Sequence, residues 1–131
     1  MIILGLFALG GAVAVVSYVQ DNQPPTQDYP SLYLEAGLPH YPNATLTKKR
    51  QGDNMADGVQ VTLETTDNIE TIKSFFDQEL GSSGFDLPIV PGESDVAYFG
   101  IYSQGDKKLN LQITKLEDSS NYKIHVLYSE Q

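Results

Sequence analysis

From Met1 to Val19 the chain carries no charged side chain, and nearly every residue is apolar; the first charge is Asp21. A helix of this length rises about 28 Å at about 1.5 Å per residue, close to the hydrocarbon thickness of a bilayer. The domain that follows is too small to enclose a helix apolar on all sides. A cleaved signal peptide is the competing assignment. Ala12-Val13-Ala14 has the spacing of a cleavage site, but Val15 and Val16 continue the apolar run and no basic residue precedes it. The expectation is one uncleaved transmembrane helix over residues 1–20.

Within that run Gly10 and Ala14 are four apart, and Ser17 lies on nearly the same helical face. Small residues let a second helix approach closely, because packing drives helix association in lipid. Gly10, Ala14 and Ser17 are the expected helix-packing interface, and Tyr18 suits the aromatic belt at the membrane surface. The nearest cations are Lys48, Lys49 and Arg50, whereas Asp21, Asp28 and Glu35 follow the run. A flank without positive charge is the exported one. The soluble part is therefore expected outside the cytoplasm.

The net charge is −9, all of it beyond the apolar run. Phosphate backbones demand a basic face, so nucleic acid is not an expected partner. The chain has no cysteine, which excludes disulfides, thiolate metal sites and cysteine nucleophiles. Pro24, Pro25 and Pro30 stop helical continuation and favour an extended spacer. Residues 21–37 read as a juxtamembrane linker, with one short helical turn between a capping Ser31 and a terminating Gly37.

Residues 38–131 read as one soluble domain. Ala44 to Arg50 forms a strand, and the Asp-, Asn- and Gly-rich stretch from Gly52 to Gly58 turns the chain. Val59, Val61 and Leu63 then alternate with Gln60, Thr62 and Glu64, the period of a half-buried strand. Asp67 and Glu70 have the spacing of a capping box. Ile69, Ile72, Phe76 and Leu80 follow at helical spacing with Phe75 beside them, and Gly81 supplies a stop. Val96 to Tyr102, Leu109 to Ile113 and Tyr122 to Tyr128 read as three strands joined by short turns. The expected fold is α+β: the membrane helix, then a small antiparallel sheet with one packed helix in the order β-β-α-β-β-β.

Candidate chemistry is sparse. His40 lies in a Pro-flanked extended segment and His125 in the last strand, neither with a spaced partner. Asp53-Asn54-Met55-Ala56-Asp57-Gly58 with Glu64 fits a calcium loop in part, but Met55 and Gln60 break the pattern and the flanks read as strands. Lys48-Lys49-Arg50 is the one basic cluster and reads as a solvated edge strand. No nucleophile motif or phosphate loop is present. No cofactor or metal is expected, and the chain does not read as an enzyme.

Pro39-x-Tyr41-Pro42-x-Ala44, Thr65-Thr66-Asp67 before a helix with Phe75-Phe76 and Leu80, and then Gly84-Phe85 resemble a class of small bacterial membrane-anchored envelope domains. Those domains open on a Tyr-Pro-x-Ala segment and carry a Thr-x-Asp-capped helix. The resemblance covers roughly residues 38–115. It implies an anchored bacterial protein and carries over no catalytic residue. Together these features lead to an expected non-catalytic, single-span accessory or scaffold subunit in the bacterial inner membrane. Its partners would be the lipid bilayer and larger integral membrane subunits, and its domain would be periplasmic. The alternative is a free-standing envelope binding domain, with Tyr98, Tyr102, Tyr122 and Tyr128 lining a groove for a small ligand or peptide.

Overall fold

The computed structural model describes residues 28–117 and 119–131. They form helix α1 (Ser31–Glu35), strands β1 (Thr45–Gln51) and β2 (Val59–Thr65), and helix α2 (Ile69–Ser82). Four strands complete the chain: β3 (Ile89–Glu93), β4 (Ala97–Gln104), β5 (Lys107–Lys115) and β6 (Tyr122–Glu130). All strand pairs are antiparallel, in the order β1-β2-β6-β5-β4-β3.

This corrects the expected architecture of a membrane helix followed by five strands and one helix. The sheet has six strands and two short helices accompany it. Among the described residues no helix is long and apolar enough to cross a membrane. The Met1–Val19 run lies outside the described residues. The unanticipated strand, β3, contains Pro91 and Gly92, a composition that reads as loop. Proline is tolerated there because β3 is an edge strand, and the ladder to β4 shifts register between Ile89 and Gly92.

Strand parity builds the core. Three rows cross the sheet on its helix-covered face: Val59, Tyr128, Leu109 and Tyr102; Val61, Val126, Leu111 and Gly100; Leu63, Ile124, Ile113 and Tyr98. Their side chains pack with Ile69, Ile72, Phe76 and Leu80 of α2 and with Tyr29, Tyr33, Leu38 and Tyr41 from the amino-terminal side. Tyr33 is fully buried, stacks on Tyr29 with ring centroids 4.8 Å apart, and donates its hydroxyl to the Pro39 carbonyl at 2.6 Å. Residues Tyr29 to Gly37 thus enter the packed domain. Ser31 does not cap α1; it is the first helical residue, and its hydroxyl meets the Gln51 side chain.

Both helices end the same way. The Leu38 amide reaches the Tyr33 carbonyl and the Gly37 amide the Leu34 carbonyl; Phe85 and Gly84 make the matching bonds to Leu80 and Gly81. These are Schellman motifs, in which the residue after the cap takes a left-handed conformation. Gly37 and Gly84 have φ of 68° and 98°. Gly84 is therefore the terminator of α2, and Gly81 lies inside the helix.

The start of α2 is also displaced by one residue. Asn68 is the cap and accepts from the Thr71 amide at 2.9 Å. Asp67 has other partners: the Tyr41 hydroxyl, the Asn43 side chain at 3.0 Å, and, through its own amide, the Thr65 hydroxyl at 3.1 Å. The Tyr-Pro-x-Ala and Thr-x-Asp segments therefore meet at one hydrogen-bonded corner.

Candidate binding face

The same parity that sends alternate residues to the core sends the others to a face with no covering layer among the described residues. Its rows interleave with the core rows. Arg50, Gln60, Leu127, Asn110, Ile101 and Ile89 form one. Lys48, Thr62, His125, Gln112 and Phe99 form the next, and Thr45, Glu64, Lys123, Thr114 and Ala97 a third. Antiparallel sheets commonly leave one face to solvent. This face, however, is divided across the strand direction.

The end toward β3 and β4 is apolar. Phe99, Ile101 and Leu127 are half-buried by their neighbours, and Ile89 is 69% exposed. Leu87, Val90 and Val96 add exposed apolar surface around β3. Asn110, between Ile101 and Leu127, has a buried side-chain oxygen with no hydrogen-bond partner. The β3 edge is tied down from the other face: Lys73 of α2 bonds Glu93 at 2.6 Å and lies over the Tyr98 ring at 5.0 Å.

The end toward β1 is basic. A groove of about 660 Å³ is lined by Thr47, Lys48, Arg50, Thr62, Lys123 and His125, with Lys49, Gln60, Glu64 and Leu116. The Lys48-Lys49-Arg50 run is divided by strand alternation. Lys48 and Arg50 align with the open-face residues Thr62 and Gln60. Lys49 aligns with core-facing Val61 and pairs with Asp28 at 2.5 Å. The Thr62 hydroxyl and His125 Nδ1 are 3.0 Å apart. Burial, then the charges of Lys123 and Lys48, hold the His125 imidazole below its ordinary pKa of 6.5. Its neutral form is thus favoured at neutral pH.

The four tyrosines expected to line a groove do not do so. Tyr98, Tyr102 and Tyr128 are core residues on the helix-covered face. Tyr102 donates to Asp77 and Tyr128 to Glu130, both at 2.6 Å, and Tyr122 packs against the same core. Burial raises the pKa of all three core tyrosines above 10. The Asp53–Gly58 stretch is a hairpin turn closed by the Gly52 amide and the Gly58 carbonyl at 2.9 Å. Glu64 lies at the far end of β2, opposite Thr45. His40 stacks on Tyr29 with centroids 4.3 Å apart. Among the described residues no group of three His, Cys, Asp or Glu side chains is placed to hold a metal ion. Gly10, Ala14, Ser17 and Tyr18 lie outside the described residues.

Lys123 and His125 are the groove residues that sequence reasoning did not connect to the basic cluster. Only the β1-β2-β6 register brings them beside it. No family model matches the chain, and comparison with curated proteins and with solved structures finds no similar protein.

Proposed function

We propose that the chain is a non-catalytic accessory subunit held at a bacterial membrane by its apolar amino-terminal run, with its domain on the extracytoplasmic side. Its uncovered sheet face docks on a larger membrane subunit. The observation that supports this is the apolar end of that face. Phe99, Ile101 and Leu127 have the composition of an interface core and carry Ile89 as an exposed extension. The helix-covered face is filled by its own side chains, including the tyrosines that a ligand-capturing groove would need.

The test is gentle detergent extraction of the tagged full chain with a photo-crosslinking residue at Phe99. Capture of one integral membrane protein, lost on Ile101→Asp in a chain that still folds by circular dichroism, is the expected result. Recovery of the chain alone, with no crosslinked product, overturns the proposal. The second reading, an envelope domain that binds a small ligand, draws on a different observation, the basic groove at the other end of the face.

A further inference from the structure

The groove inverts the charge balance of the chain. Four of the eight Lys and Arg residues line it, against one of the seventeen Asp and Glu residues. Lys48, Arg50 and Lys123 form no ion pair among the described residues. Gathering unpaired cations on β1 and β6, the two strands that flank β2, raises the free energy of the groove by mutual repulsion, and an arriving anion relieves it. The whole chain carries a net charge of −9, so such a concentration of cations on one open surface runs against its composition.

We propose that this groove is a binding site for a phosphate group, carried by a small organic phosphate or by a lipid headgroup. Its volume of about 660 Å³ is within the usual range for small-ligand sites. A planar carboxylate is satisfied by one guanidinium fork. A phosphate offers three or more oxygens and up to two charges, matching cations supplied from two separate strands, Lys48 and Arg50 on β1 and Lys123 on β6. Thr62 and Gln60 on the intervening β2 add hydrogen-bonding groups to the floor. Glu64 aligns directly with Lys123 across the β2-β6 ladder and opposes a second anion at that row.

His125 reports occupancy. The groups around it are Lys48 and Arg50 of β1, Gln60, Thr62 and Glu64 of β2, Lys123 of its own strand, and Gln112 opposite it on β5. In the empty groove burial and lysine charge favour the neutral imidazole. A bound phosphate offsets those charges and stabilises the protonated ring. By linkage, lower pH then tightens binding.

This inference deepens the second reading and is independent of docking at the apolar end. The full chain, held in a non-ionic detergent, is titrated with inorganic phosphate and with glycerol phosphate while the His125 ring resonances are followed. A parallel arm places it in phosphatidylcholine nanodiscs with and without phosphatidylglycerol. A saturable rise in the His125 pKa is expected in at least one arm. Response to the soluble phosphates identifies a free ligand; response to phosphatidylglycerol alone identifies a headgroup. Lys123→Gln weakens binding by about tenfold, and Lys48→Gln with Arg50→Gln abolishes it. The three side chains carry no ion pair and repel one another, so urea midpoints do not fall. Failure of His125 to respond in both arms, or equal responses in the wild type and the variants, overturns the site. Crosslinking through Phe99 is unaffected by the groove substitutions, which separates failure here from failure of the docking proposal.

Discussion

One sheet presents two faces made from the same six strands. On the covered face, β2, β5 and β6 contribute Val59, Val61, Leu63, Leu109, Leu111, Ile113, Ile124, Val126 and Tyr128, none more than 1% exposed. On the open face the same strands contribute Gln60, Asn110, Gln112, Lys123 and His125. The difference is one residue of parity. Each burial on the covered face removes apolar area from water and contributes about 1.5–3 kcal/mol per large aliphatic side chain. The open face contributes less to folding and so is free to carry charge and exposed apolar groups, as binding surfaces do.

The largest expected effect is the stability contrast itself. Phe76 is fully buried beneath Tyr41, its ring stacked at 6.1 Å and crossed edge-on by Phe75 at 5.2 Å. Phe76→Ala should cost about 3–5 kcal/mol through lost transfer energy and the cavity left behind. Phe99→Ala on the open face should cost about 1 kcal/mol, because the ring is already part-solvated. Urea unfolding of both variants decides the matter. Equal losses would mean that a covering layer buries the open face, and the comparison would collapse.

The covered face also predicts an alkaline limit. Burial raises the pKa of Tyr29, Tyr33, Tyr41, Tyr98, Tyr102 and Tyr128 above the ordinary 10.0; carboxylates add to this at Tyr41, Tyr102 and Tyr128. The folded state then holds these protons more tightly than the unfolded chain. Their contribution is fully present below pH 10 and is lost as pH rises above it. Phenolate absorbance should appear cooperatively with loss of circular dichroism above pH 10. Independent titration of these tyrosines in a chain that stays folded would contradict the burial assigned to them.

Half of this division was legible in the chain. The period-two runs of β2, β5 and β6 and the stripe of α2 mark the covered face directly, since parity and helical spacing are local signals. The β3 strand was not legible, because Pro91 and Gly92 punctuate loops and only edge position makes them acceptable in a ladder. Tyr98 and Tyr102 each carry an apolar ring and a polar tip, so residue type alone does not separate a core position from a ligand groove. In the structure both are buried on the covered face: the Tyr98 ring fills the space beside Gly100, and the Tyr102 hydroxyl donates to Asp77. Lys48 and Arg50 were visible as a cluster, but Lys123 and His125 join them only through long-range register. That register is set by the fold as a whole and has no local sequence signature.

A smaller effect tests how the cover is held. If α2 stops at Gly84 through its left-handed backbone, Gly84→Ala should cost about 1–2 kcal/mol. A Cβ at Gly84 also meets the Gln104 side chain at 2.5 Å. Gly81 is helical with nothing within 4 Å of an added Cβ, so Gly81→Ala should stabilise by about 0.5–1 kcal/mol. Opposite signs in thermal unfolding sharpen the boundary. Matching signs would place the helix end elsewhere.

The smallest effect belongs to the open face and mirrors the tyrosines. His125 titrates below its ordinary 6.5 because burial and the Lys123 and Lys48 charges disfavour the imidazolium. The unfolded chain therefore binds this proton more readily. The stability His125 contributes is present above pH 6.5 and declines as pH falls through the depressed folded value. The ring is part-exposed beside the groove, so solvent damps the energy and the measurement of choice is the resonance position itself. Lys123→Gln and Lys48→Gln should each move the His125 pKa back toward 6.5, Lys123 by the larger step, with no change in the alkaline transition of the core tyrosines. A shift of both transitions together would show that the two faces communicate through the sheet, and that its open side is part of what holds the fold.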